Sequence, residues 1–168
     1  MIYLDTSFLT PLFREETTST RVANFLSRQA PGTLAVSKWA SVEFASLISR
    51  DVRMEAITIS QARKLIAEFD SMAALSLIIL IPTAKDFDLA RDYVAHFGTR
   101  LRAPDALHLA VARSNSVAVV ATLDSGMLAA TKKLKIPAKR MIRKSCTDYG
   151  VFALIVLSTQ SAKLLTRV

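Results

Sequence analysis

Cysteine is almost absent: Cys146 stands alone among 168 residues, so no internal disulfide and no paired-cysteine zinc framework can form. Glycine is nearly as scarce, at 4 residues, and no glycine-rich loop cradles phosphate, which removes the main signature of nucleotide-binding α/β proteins. Long apolar runs are missing too. The longest, Val151 to Leu157, falls far short of the roughly 20 residues that a membrane-spanning helix needs. The opening Met1-Ile2-Tyr3-Leu4-Asp5 has no basic stretch ahead of a long apolar one, so no secretory signal is expected. What is present, 51% apolar and 21% charged residues, fits one globular domain without a membrane partner, in the cytoplasm.

The formal charge of +8 is unevenly placed. Residues 1–131 carry 13 basic and 13 acidic side chains; residues 132–168 carry 9 basic and 1 acidic. Seven of those nine cations lie between Lys132 and Lys144, namely Lys132, Lys133, Lys135, Lys139, Arg140, Arg143 and Lys144. Such a cluster attracts polyanions through counterion release, and it equally serves as a solvated tail.

Short apolar runs alternate with helical periodicities along the chain. Ile2-Tyr3-Leu4, Leu34-Ala35-Val36, Leu77 to Ile81 and Val117 to Ala121 read as strands. Between them, Val22/Phe25/Leu26, the stretch Trp39 to Ile48, a segment capped by Ser60 with Ala62/Leu65/Ile66/Phe69, and one opened by Thr83 read as helices. Pro104-Asp105 starts a further helix through Arg113, and Asp124-Ser125 caps another through Leu134. Strands that are apolar on both faces and alternate with helices predict an α/β fold around a parallel sheet covered on both sides. The join near Ile136-Pro137 divides a compact body, residues 1–137, from a basic extension, residues 138–168.

Three acids stand at the ends of elements. Asp5 ends the first strand, Asp105 opens a helix and Asp124 follows the strand Val117 to Ala121. Glu43 lies inside Trp39 to Ile48, a stretch with no other charge, so burial and a compensating partner are expected; Lys38 and Arg50 are the nearest cations. Taken singly, Asp5, Asp105 and Asp124 also suit plain helix caps, each stabilising by roughly 1 kcal/mol. Four converging carboxylates would repel one another, and a hard divalent cation, Mg²⁺ or Mn²⁺, resolves that repulsion better than zinc.

The segments Ile2-Tyr3-Leu4-Asp5-Thr6-Ser7-Phe8-Leu9, Ser41-Val42-Glu43-Phe44, Leu101 to Ala110 and Ala121-Thr122-Leu123-Asp124, in this order, resemble PIN-domain proteins, and more narrowly the VapC-type toxins of toxin/antitoxin pairs. The resemblance implies a three-layer α/β/α fold with a central parallel sheet of about five strands, and a Mg²⁺- or Mn²⁺-dependent endoribonuclease in which Asp5, Glu43, Asp105 and Asp124 take the metal-binding acidic positions. It implies supporting hydroxyls at Ser7 and Thr122, an antitoxin that covers the site, and a homodimer. Arg100 and Arg102 precede Asp105 and suit contact with RNA phosphate, or a solvated surface pair. His108, three residues after Asp105, shares its helix face and reads either as a base or as a packed, hydrogen-bonded histidine. The competing expectation is a PIN-like RNA- or protein-binding module without turnover.

Overall fold

The computed structural model of the chain describes residues 1–142. Four strands of three or four residues and one of two form a single parallel sheet: β1 (Ile2–Leu4), β2 (Leu34–Ser37), β3 (Ile78–Leu80), β4 (Val119–Ala121) and β5 (Ala138–Lys139), in the order β3-β2-β1-β4-β5. Every pairing is parallel, and each crossover is long enough to carry helices. Among the described residues these are α1 (Thr6–Leu9), α2 (Ser19–Leu26), α3 (Trp39–Arg53), α4 (Ile59–Ser76), α5 (Ala84–Ala95), α6 (Ala103–Ser114) and α7 (Ser125–Leu134).

Side chains alternate across a strand, so consecutive residues of β1 enter different cores. Leu4 packs with Phe8, Leu9, Val36, Phe44 and Phe69; Tyr3 packs with Leu107, Val111, Val120 and Met127. The sheet is thus covered on both faces, and the expected three-layer α/β/α arrangement is the one observed. On the first face Phe44 of α3 stacks on Phe69 of α4 at 4.4 Å, with Phe13 set edge-on to Phe44 at 5.1 Å. Such ring pairs each add about 1 kcal/mol beyond the area they bury. On the second face α6 is enclosed from Ala106 to Ala112, which explains why its sequence is apolar nearly all round.

Two local expectations shift. The helix assigned to a Ser60 cap begins at Ile59, because Thr58 accepts from the Gln61 amide while the Gln61 side chain returns to the Thr58 amide, satisfying two free helix-start donors together. The apolar run Leu77 to Ile81 yields an edge strand rather than a covered one. Ile78 and Ile79 are about 40% exposed and Ile81 is 74% exposed, since only β2 pairs with β3. The last strand, β5, follows directly on the join near Ile136-Pro137. Arg143, Lys144 and the run Val151 to Leu157 lie outside the described residues.

The strand order turns around at β1. The chain runs outward from β1 through β2 to β3, then crosses to the other side of β1 to form β4. In open parallel sheets the crevice at such a switch point, beyond the carboxyl ends of the strands, is where ligands bind. Asp5 stands directly after β1, and Thr122-Leu123-Asp124 directly after β4.

Candidate functional site

Asp5 is the most enclosed of the four acids, at 4% exposure. Its amide still pairs with the Ala121 carbonyl of β4 at 3.0 Å, and its carbonyl accepts the Phe8 amide that starts α1. The backbone therefore caps α1 while the carboxylate is turned elsewhere. Oδ2 accepts from Ser7 Oγ at 2.5 Å and from Thr122 Oγ1 at 2.8 Å. Each hydroxyl has a single proton, spent on Asp5, so each serves as an acceptor on its other side. Ser7 Oγ receives the Leu123 amide at 3.1 Å and Thr122 Oγ1 receives the Asp124 amide at 3.0 Å. The turn after β4 is thus pinned to the acid at the end of β1.

Glu43 projects from α3 with its side chain 19% exposed. Its Oε2 accepts from Thr6 Oγ1 at 2.5 Å and from His108 Nε2. Neither Lys38 nor Arg50 compensates it; Arg50 lies 3.9 Å from Asp51 instead. Burial favours the neutral acid, but the His108 hydrogen bond and charge, with the Thr6 hydroxyl, outweigh it and hold the Glu43 carboxyl below its ordinary value. His108 is fully buried, which favours the neutral ring; the Glu43 bond and the Asp5 and Asp105 carboxylates reverse that and raise its pKa. The two directions agree, each partner favouring the charged form of the other.

Asp105 occupies the first turn of α6, where the helix dipole favours an anion. No hydrogen bond reaches its carboxylate from the described residues. Burial, then the charges of Asp124, Asp5 and Glu43, push its pKa up to about 6, with His108 opposing in part. Asp124 is exposed and accepts the Met127 amide at 2.6 Å through Oδ1, a true cap of α7. Arg102 is the exposed N-cap of α6, and exposed Arg100 takes a left-handed backbone conformation at φ 56° in the preceding loop. Neither arginine has an acidic partner among the described residues.

Asp105 therefore lies within reach of the charges of Asp124, Asp5 and Glu43, with Ser7 and Thr122 on Asp5. The donor set is entirely oxygen, because both ring nitrogens of His108 are engaged, and it suits a hard cation. Among the described residues no three His, Cys, Asp or Glu side chains close tightly enough on one point to hold an ion by themselves. Mg²⁺ retains several waters, so an ion here needs only part of the set.

Sequence reasoning passed over Thr6 and Tyr3. The Tyr3 hydroxyl lies 2.6 Å from His108 Nδ1, joining residues 105 positions apart. One signal was present: Tyr3 and Asp5 are two apart on an extended segment and so share a side of the sheet.

The PIN domain family model matches residues 2–133. Among curated proteins no sequence match is found. Solved structures of similar fold include VapC20 of Mycobacterium tuberculosis, a sarcin-ricin loop cleaving toxin, at TM-score 0.63 and 20% identity, covering 77% of this chain and 95% of that one. VapBC-1 of nontypeable Haemophilus influenzae matches at TM-score 0.60 and 16% identity, covering 83% and 97%. FitAcB of Neisseria gonorrhoeae matches at TM-score 0.56 and 20% identity, covering 82% and 96%.

Proposed function

The chain belongs to the PIN-domain family, and on that premise we propose that it is an endoribonuclease, the toxin of a toxin/antitoxin pair, hydrolysing RNA with Mg²⁺ or Mn²⁺ held by Asp5, Glu43, Asp105 and Asp124. The observation that carries this reading is the placing of Asp5 and Asp124 directly after β1 and β4 at the switch point, beside an Asp105 that burial, and then the charges of Asp124, Asp5 and Glu43, push up to about 6. Structural acids with no ligand to hold gain nothing from such crowding. The similarity in fold to a protein named as a cleaving toxin and to VapBC-1 supports it. A cognate antitoxin, a homodimer and a cytoplasmic setting belong to the same reading. So does the division into residues 1–137 and a basic extension, 138–168. No helix of the described residues is long and apolar enough to cross a membrane.

A bound divalent ion supplies an activated water and neutralises charge on the phosphoryl oxygens. The chain's own residues do the rest. Ser7 and Thr122 fix Asp5 through Oδ2, and Oδ1, 3.6 Å from His108 Nε2, is left to act as a ligand. Asp105, in the first turn of α6, and Asp124, the N-cap of α7, supply the remaining carboxylates. Arg100 and Arg102 border the same helix start and meet the RNA backbone, which guanidinium groups grip through paired donors.

Purified protein incubated with total cellular RNA, with Mg²⁺, Mn²⁺ or chelator, tests the reading beside Asp5→Asn prepared identically. Metal-dependent discrete fragments that vanish in Asp5→Asn are expected. Equal behaviour of the two folded proteins, free of antitoxin, replaces the enzyme by a binding module.

A further inference from the structure

We propose that Tyr3 and His108 are a positioning pair for the acidic site, in which the Tyr3 hydroxyl orients the buried ring so that Nε2–H faces Glu43 and Asp5 and holds the Glu43 carboxylate beside β1. The inference rests on the metal-dependent reading above and assigns it two residues that carry no metal-binding acid.

The hydrogen count around the ring leads there. Nε2 faces Glu43 Oε2, Thr6 Oγ1 at 3.1 Å and Asp5 Oδ1 at 3.6 Å. Two of those are carboxylate oxygens, and the Thr6 hydroxyl has spent its proton on Glu43, so none of the three can donate to the ring. A lone pair at Nε2 would face only oxygens; the proton must be there. At the other nitrogen, Tyr3 allows both remaining states. Its hydroxyl donates to Nδ1 of a neutral ring and accepts from Nδ1–H of a cationic one. In either state Nε2 is a donor.

The same geometry removes His108 as a general base. The ring is 0% exposed and neither nitrogen is open to water. What it does is join three elements: Tyr3 and Asp5 from β1 and its end, Glu43 from α3, and the ring itself from α6. Without the donor between them, the carboxylates of Asp5 and Glu43 repel and α3 has no polar tie to the second core.

The test needs no activity assay to begin. In the metal-free full-length protein labelled with ¹⁵N-histidine, the His108 ring is expected to carry a proton on Nε2, with exposed His96 as reference; a ring protonated on Nδ1 alone overturns the proposal. Mn²⁺ affinity by calorimetry, with kcat and KM on RNA, is then compared for Tyr3→Phe, His108→Gln, His108→Asn and Asp5→Asn, each checked for folding by circular dichroism. Removing the Tyr3 hydroxyl should weaken Mn²⁺ binding and kcat about tenfold, as for other groups that orient ligands, and leave KM unchanged. His108→Gln, whose amide nitrogen comes near the Nε2 position, should retain more than His108→Asn. Unchanged Mn²⁺ affinity in Tyr3→Phe, or equal losses in Gln and Asn, overturns the pair. If Asp5→Asn also keeps full affinity and cleavage, the metal-dependent reading is what fails. Should Tyr3→Phe not fold, the ring protonation of the wild-type chain decides.

Discussion

The acidic site has two unlike halves. Asp5 and Glu43 are enclosed and compensated from within: Asp5 by two hydroxyls, Glu43 by a hydroxyl and a buried histidine. Asp105, in the first turn of α6, and Asp124, the N-cap of α7, sit nearer to solvent; Asp124 is satisfied by a backbone amide, while Asp105 receives no hydrogen bond from the described residues. The contrast locates the unbalanced charge. Against its burial, Glu43 is held below its ordinary pKa by His108 and Thr6, while burial and then its acidic neighbours hold Asp105 above, so charge is compensated on one side and left uncompensated on the other. The compensated half is built to be rigid, and the uncompensated half is where a cation relieves the most repulsion.

The sharpest way to break this comparison is at its centre. Asp5→Asn keeps the shape and removes the charge that both halves share. Cleavage of RNA should fall by more than about 100-fold, beyond what the loss of an orienting group costs, while the far-ultraviolet circular dichroism stays unchanged. A variant that cleaves within a few-fold of wild type removes Asp5 from the chemistry. Thr122→Val is milder. It deletes one of two hydroxyls on Asp5 and the acceptor of the Asp124 amide with little change of volume, and Mn²⁺ affinity measured by calorimetry should drop about tenfold. An unchanged affinity would mean that Ser7 alone orients Asp5.

The halves also differ in how far the sequence discloses them. The four acids stand out in the chain because charge is rare in their surroundings and because three of them abut strand or helix boundaries that periodicity reveals. Asp124 was legible down to its capping bond, since a cap depends on neighbours a few residues away. The compensation of Glu43 was not: the nearby Lys38 and Arg50 suggested a local ion pair, whereas the partner is His108, 65 positions on, brought in by the packing of α6 on the sheet. Tyr3 was hidden for the same reason, as an apolar strand gives no sign of which helix its polar tip will meet. The exposure of β3 escaped as well, because an apolar run looks alike whether its strand lies at the centre of the sheet or at its edge, and the order β3-β2-β1-β4-β5 is a property of the whole chain.

The smallest expected effect tests the uncompensated half by itself. In the folded chain Asp105 titrates at about 6, above the roughly 3.9 of an unfolded aspartate, so the native state binds this proton more tightly than the unfolded one. Linkage then makes Asp105 a cost to the metal-free fold that is complete above pH 6 and fades as the pH falls toward 4. Asp105→Asn should accordingly stabilise the protein in chelator by about 1 kcal/mol at pH 7.5, allowing for solvent screening of a half-exposed group, and the gain should vanish near pH 4. The His108–Glu43 pair is present in both proteins, and the Asp105 charge comes last among the causes that raise His108, so most of that pair's own pH dependence cancels in the difference. Urea unfolding at the two pH values measures this directly. In excess Mn²⁺ the order should invert, because the wild type then gains binding free energy that the variant lacks. A variant that is no more stable than wild type in chelator at pH 7.5 would place the repulsion elsewhere in the cluster and dissolve the contrast between its halves.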